Sequence, residues 1–196
     1  MLEFEKKIIL TQKEYKAIVA LIGMNATAKT QVNYYFDTDD FDMNEKNITF
    51  RARKKDGKYL YTIKDHSLRI PNCSREINVA EKTELDPTIF GVLGLQCQGK
   101  LVTHRIVVYK ASGYEMVVDR NTYLGCCDYE LEVEYKEGDE QTAQKLLQDV
   151  AEMLIKLKAL ADPDAFMERI GKAHSKSQRF FERKEIAGGQ NAEHYK

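Results

Sequence analysis

The chain lacks any apolar run near the roughly 18 residues that a helix needs to cross a bilayer, which excludes a helical membrane span. It lacks an excess of either charge: 30 Lys and Arg stand against 31 Asp and Glu, a formal net charge of -1. That balance excludes a general nucleic-acid coat, whose composition is strongly basic, and leaves room for a local basic site. No CxxC pair occurs among Cys73, Cys97, Cys126 and Cys127, so zinc-ribbon and thioredoxin signatures are absent. Adjacent Cys126 and Cys127 make an awkward disulfide framework, and reduced, structural thiols are expected. There is no secretory start either. Met1-Leu2-Glu3-Phe4-Glu5-Lys6-Lys7 carries acid where a leader needs a basic segment and then an apolar one, so a cytoplasmic location is expected. No repeat, low-complexity tract or linker divides the 196 residues, which suit one domain. That domain is expected over residues 1–185, with a frayed tail at 186–196.

What is present is a soluble composition, 43% hydrophobic and 31% charged, arranged as short strands. Residues 2–9 alternate, with Phe4 and Ile8 on one face. Thr11-Gln12-Lys13-Glu14 is a capping box opening a helix through about Ile22, with Gly23 as its stop. Val32–Asp37 reads as a strand and Asp39–Asn47 as a polar loop. Ile48–Lys54 and Tyr59–Asp65 flank Asp56-Gly57, a strong hairpin signal. Ser74–Val79 is another strand, and Asp86-Pro87 opens a short helix through about Leu93. Leu101–Lys110, Tyr114–Asp119 and Tyr129–Lys136 are three more strands. Asp139-Glu140 starts the longest helix, ending near Leu160, and Asp162-Pro163-Asp164 starts a short one. Ser175–Phe181 is a last helical turn or two. Eight strands with hairpin spacings, and helices between and after them, predict an α+β fold: an antiparallel barrel, closed or nearly so, flanked by helices.

Residues two apart in a strand share a face. One face of these strands carries Glu3, Glu5 and Lys7, then Arg51 and Arg53, then Lys64. Later strands add Glu76, Arg105, Asp119, and finally Glu130, Glu132 and Glu134. In an open sheet this face would meet water; in a small closed barrel it points inward, where charges must be paired or must coordinate something. Clustered carboxylates suit Mg²⁺ or Mn²⁺, while Arg and Lys suit phosphate. The mixture describes a site for a metal–polyphosphate complex.

In that order the residues resemble the CYTH superfamily, the triphosphate tunnel metalloenzymes. Glu3-Phe4-Glu5-Lys6-Lys7 is similar to its ExExK motif, and Tyr34-Tyr35-Phe36-Asp37-Thr38 to its YFDT segment. Phe50-Arg51-Ala52-Arg53 and Thr62-Ile63-Lys64 resemble the next two strands, and Arg75-Glu76, Arg105, Asp119 and Tyr129-Glu130-Leu131-Glu132 follow. The resemblance spans about residues 1–185. It implies an eight-stranded antiparallel tunnel that hydrolyses a triphosphate, with inorganic tripolyphosphate as the leading substrate and Mg²⁺ or Mn²⁺ as cofactor.

The residue roles it implies are these. Glu3, Glu5, Glu130, Glu132 and Asp119 hold metal. Lys7, Arg51, Arg53, Lys64 and Arg105 bind phosphate, and Lys176 and Arg179 reach a tunnel mouth from the last helix. Glu5, Glu76 and Glu130 serve the chemistry. Where several relatives have Lys before the arginine of the 101–110 strand, this chain has His104, which alternation turns outward. His66 reads as a strand-end residue. The rivals are a class IV adenylate cyclase, with Tyr34, Tyr35 and Tyr61 available to stack on adenine, a thiamine triphosphatase, and a non-catalytic polyphosphate- or nucleotide-binding module. The expected partner is the small-molecule triphosphate alone, with no membrane, and the chain as a monomer or homodimer.

Overall fold

Every strand of the sheet has a neighbour on both sides. In the computed structural model, which describes residues 1–22 and 28–193 with side chains through 187, eight strands run antiparallel and close on themselves. They are β1 (Leu2–Leu10), β2 (Lys29–Asp37), β3 (Ile48–Lys55), β4 (Lys58–Asp65), β5 (Cys73–Lys82), β6 (Gln96–Ala111), β7 (Tyr114–Tyr123) and β8 (Cys126–Tyr135). Their order around the barrel is β1-β5-β4-β3-β2-β6-β7-β8. Closure leaves no free edge to template aggregation. The β3–β4 turn is made by Asp56 and Gly57, at φ of 50° and 81°, the two positive values a tight primed hairpin turn requires.

The outward residues build two cores. Ile8, Val118, Leu131 and Val133 pack against Ile18 of α1 (Gln12–Ile22) and Leu147 and Leu154 of α4 (Glu140–Lys156). On the other side Phe36, Phe50 and Tyr61 surround Phe90 of α3 (Thr88–Gly91), with ring centroids 5.3–5.6 Å from it. The capping box at α1 is reciprocal: Glu14 N–H donates to Thr11 Oγ1 at 3.2 Å, and Thr11 N–H donates to Glu14 Oε2 at 2.7 Å. Glu14 is buried there and takes a second partner, Arg169, at 2.5 Å, beyond α5 (Pro163–Glu168).

Several boundaries differ from the sequence reading. The polar loop at 39–47 contains a helical turn, α2 (Asp42–Glu45), because Asp37 accepts hydrogen bonds from the amides of Met43 and Asn44. β6 is sixteen residues long, and α4 ends at Lys156 rather than near Leu160. The last helix, α6, spans Lys176–Glu193 and runs on through residues assigned to a tail. The expected stop at Gly23, and residues 194–196 of that tail, lie outside the described residues. No helix among the described residues is long and apolar enough to cross a membrane.

α6 is seated by a deviation in β6. The β2–β6 register shifts between Tyr35, opposite Gly99, and Phe36, opposite Cys97. Gly99 sits at φ 143°, and a Cβ there would stand 2.8 Å from Cζ of Phe180. Phe180 is fully buried, 5.1 Å from the ring of Tyr35 and 5.3 Å from that of Phe181. Gly99→Ala should therefore lower unfolding stability by about 2 kcal/mol, from overpacking and an unfavourable φ together. Urea unfolding measures this; an unchanged midpoint would show that α6 does not seat against Gly99.

Candidate functional site

The inward residues enclose a cavity of about 240 Å³ running along the barrel. Its wall carries six cationic side chains, Lys7, Arg51, Arg53, Lys64, Arg105 and Lys176, against four carboxylates, Glu3, Glu5, Glu132 and Glu134. Carboxylates directly behind the wall balance this count, so what the cavity offers a ligand depends on how the charges are sorted.

The charges are sorted into two poles. β3 stands four strands from β8 in either direction around the barrel, so its arginines face the β8 carboxylates across the cavity. At the acidic pole, Asp119, Glu130 and Glu132 are buried and offer oxygens all within 4.8 Å of one another. Three cations hold them together. Arg105 Nη2 lies 2.7 Å from Asp119 and 2.5 Å from Glu132. Lys176 Nζ lies 3.0 Å from Asp119 and 2.8 Å from Glu132, and sits against Glu130. Arg179 donates to Glu130 at 2.8 Å and to Asp128 at 2.9 Å. Lys176 is thus in the middle of the carboxylates, deeper than the tunnel mouth expected for it.

The basic pole is less compensated. Arg51 donates to Thr62 Oγ1 at 3.0 Å and to Glu76 Oε2 at 2.5 Å. Arg53 donates to the amide oxygen of Asn33 at 2.9 Å, and no carboxylate among the described residues lies within 4.0 Å of it. Between the poles Lys64 pairs with Glu3 at 3.0 Å, and Lys7 with Glu5 at 2.9 Å.

Burial and neighbours shift these groups differently. Burial pushes the Glu132 carboxyl up to about 7, with Arg105 opposing it. Burial likewise pulls the Lys176 ammonium down to about 7, against the pull of Asp119. Burial would raise Glu5, but Lys7 and Lys64 outweigh it and hold that carboxyl well below its usual range. Burial and the adjacent Arg51 bring Arg53 down to about 10. Each of these costs is reduced when a ligand of opposite charge arrives.

The acidic pole fits a divalent cation. Its donors are carboxylate oxygens, the ligands Mg²⁺ and Mn²⁺ prefer. Glu130 Oε1 is buried and accepts no hydrogen bond of regular geometry, even with the Lys176 ammonium against it.

The charged residues expected to hold metal, bind phosphate or serve the chemistry all face the barrel interior. Glu76, Asp119, Glu130 and Arg179 lie behind the lining and reach it through partners. His104 points outward, its Nδ1 3.2 Å from Thr30 Oγ1. Of the three tyrosines considered for stacking on a base, only Tyr35 lines the cavity, wedged against Phe180. Tyr34 and Tyr61 face outward, in the cluster around Phe90.

Other interior residues were missed. His66 lines the cavity, rather than merely ending β4. Asn33 orients Arg53, and Asp128 anchors both Arg179 and Tyr123, the latter at 2.7 Å. Thr49, Ser177 and Ser175 form a hydroxyl chain at 2.7 and 2.9 Å that docks the start of α6. Alternation could have found Asn33 and Asp128: Asn33 lies within the predicted strand Val32–Asp37, and Asp128 joins the face of Glu130 once β8 is started at Cys126.

Comparison with known proteins places this geometry. The family model of the CYTH domain matches residues 1–164. A Bacillus subtilis protein named "Putative triphosphatase YjbK" is 32% identical over 163 residues, 75% of this chain and 85% of that protein. A Bacillus halodurans crystal structure described as a "putative adenylate cyclase" superposes with a TM-score of 0.62 at 22% identity, covering 91% of this chain and 97% of that one. A Hippeastrum protein, "Putative adenylyl cyclase HpAC1", described as having a dominant triphosphatase activity, superposes with a TM-score of 0.56 at 15% identity. That match covers 83% of this chain and 98% of that one.

His66 makes the cavity's electrostatics measurable. Burial, with Lys64 and Lys7 beside it, pulls its imidazole from 6.5 down to about 4. The unfolded chain therefore binds more protons than the folded one between those values, and stability falls as pH drops through that window. His66→Asn removes this contribution while leaving the carboxylates' own acid response in place. Between about pH 7 and about pH 4.5 the variant should lose about 2 kcal/mol less than the wild type in urea unfolding. Parallel losses would mean that the imidazole is solvated.

Proposed function

The chain belongs to the CYTH domain family, and from that premise we propose that it is a metal-dependent triphosphatase that hydrolyses inorganic tripolyphosphate in its barrel cavity. The observation that carries this reading is Arg53, a guanidinium in a buried wall beside Arg51, with no carboxylate partner among the described residues. A half-buried cation without a counter-ion, as Arg53 is, is stabilised by an anionic ligand, and guanidinium groups match phosphate oxygens bidentately.

In this reading Arg51, Arg53, Lys64, Lys7 and Arg105 bind the phosphoryl oxygens and orient the chain of phosphates. Glu76 positions Arg51. Asp119, Glu130 and Glu132, with Glu3 and Glu5, hold the Mg²⁺ or Mn²⁺. That cation supplies Lewis-acid polarisation of phosphoryl oxygens and lowers the pKa of water. Glu132, on the cavity wall, is one acid of this chemistry, and a cation held beside it would set its protonation state. Glu5 and Glu130 are the other acids of this chemistry. Lys176 and Arg179 keep the carboxylates from repelling one another. Phosphoryl transfer needs little covalent help beyond such positioning and charge neutralisation, and no Ser or Cys nucleophile is required. We place the activity in the cytoplasm, in a monomer or homodimer.

Tripolyphosphate is favoured over ATP by the lining. Tyr34 and Tyr61 are committed to the outer core and Tyr35 to Phe180, while Phe4 and Tyr135, the other aromatics on the wall among the described residues, pack against each other with ring centroids 6.0 Å apart.

Phosphate release from tripolyphosphate, ATP and thiamine triphosphate, each with Mg²⁺ or Mn²⁺, tests the proposal. Fast release from tripolyphosphate that excess chelator abolishes is expected. Full turnover in chelator would remove the metal, cyclic AMP and pyrophosphate from ATP would move the protein to the cyclase branch, and binding without turnover would make it a binding module. Arg53→Ala should lower kcat/KM on tripolyphosphate at least about tenfold, since a charge-assisted contact to phosphate is lost. Unchanged kinetics would take Arg53 out of the site.

A further inference from the structure

Beside the tunnel lies a second cavity, of about 270 Å³. It occupies a flaw in the barrel seam. β1 pairs with β8 from Phe4 to Leu10, but with β5 only from Leu2 to Phe4. Past Phe4 that edge of β1 is covered by irregular chain: Glu5 N–H donates to Asn72 O, and Gly171 N–H donates to Lys7 O, each at 2.9 Å. A loop does not fill a seam as a paired strand does, and a space remains. Glu5, Lys7 and His66 line this space and also line the tunnel, so the two cavities meet across these three side chains.

The side cavity contains an unspent donor. Ser74 is 3% exposed, and its Oγ has no hydrogen-bond partner among the described residues. A buried hydroxyl left unpaired costs about 1–3 kcal/mol, and native structures leave few such groups. Ser74 stands opposite Glu3 in the β1–β5 register and so shares its face. Together with the Lys7 ammonium and the His66 ring it presents donors suited to a small oxyanion.

We propose that this side cavity is a separate orthophosphate subsite, by which the phosphate released in hydrolysis leaves the tunnel sideways; the proposal rests on the triphosphatase reading above. Hydrolysis of tripolyphosphate yields pyrophosphate and orthophosphate. At the acidic pole the tunnel is stopped by α6, whose Lys176 and Arg179 cover Glu130. Orthophosphate released beneath bound pyrophosphate has no free path along the tunnel, whereas the opening between β1 and the 66–72 segment adjoins it. The Glu5 carboxylate on the shared wall opposes tight retention and so favours passage.

The test is an orthophosphate titration, followed by calorimetry, of protein whose tunnel is filled with Mg²⁺ and non-hydrolysable diimidotriphosphate. The wild type should still bind orthophosphate. Ser74→Ala should weaken that binding about fivefold or more, the loss of one hydrogen bond to a charged group. Leu68→Phe, which fills the cavity from the covering loop, should abolish it. Both variants should bind diimidotriphosphate within twofold of wild type, and in turnover orthophosphate should inhibit the wild type non-competitively. No orthophosphate binding to the filled protein would overturn the proposal, as would equal binding by wild type and Ser74→Ala. If Leu68→Phe does not fold, Ser74→Ala decides alone. Failure of diimidotriphosphate to bind would instead sink the triphosphatase reading, and the same Ser74→Ala comparison on the unfilled protein would then decide the subsite by itself.

Discussion

A β-strand shows half its side chains to each side, and a closed barrel of eight strands shuts its inner side off from most of the bulk water that would otherwise receive charges. That constraint governs the rest of this molecule. Alternate residues of the strands carry Glu, Asp, Arg and Lys inward, and each must be paired, coordinated or left at a cost. The pairing is dense at one pole, where Arg105, Lys176 and Arg179 interleave with Asp119, Glu130 and Glu132. It is sparse at the other, where Arg53 has, among the described residues, only an amide oxygen. The asymmetry polarises the cavity, and the polarity makes it a receptor for an anion bound through a cation.

The last helix completes this balance. Lys176 and Arg179 come from α6, and α6 reaches the barrel only because β6 bulges at Gly99 and leaves room for Phe180. A backbone irregularity on one strand thereby brings cations against carboxylates on two others. The segment matched by the family model ends at residue 164, so this helix lies beyond it. The hydroxyl chain from Thr49 through Ser177 to Ser175 fixes the helix start directly over the cavity. Burial then acts on both partners: it raises Glu132 and lowers Lys176.

The seam is the other place where regular structure stops short. β1 outruns β5, and the 66–72 segment covers the exposed edge without filling it. His66 belongs to that segment, which is why it enters the cavity instead of merely ending a strand. Burial, and then the positive charge of Lys64 and Lys7, pull its imidazole below the usual histidine value.

The amino-acid sequence by itself determined the strands, their two faces and the charged inventory of the inner one, because alternation and turn chemistry are local: Asp56-Gly57 declares its hairpin and Glu3-Phe4-Glu5 its two sides. Thr11 and Glu14 declare a helix start in the same way. Which acids lie against which bases was decided only by the tertiary structure. Pairing Arg51 with Glu76, Arg105 with Glu132, or Lys176 with Asp119 depends on barrel order and register, set by contacts far apart in the chain. α6 was read too short because its stability comes from Phe180 and Phe181 seated on the barrel, while its own sequence, with Gly188 and Gly189, has little helical preference. Ser74 was not legible as an interior residue, since a polar side chain at a strand end looks the same whether it faces water or a cavity.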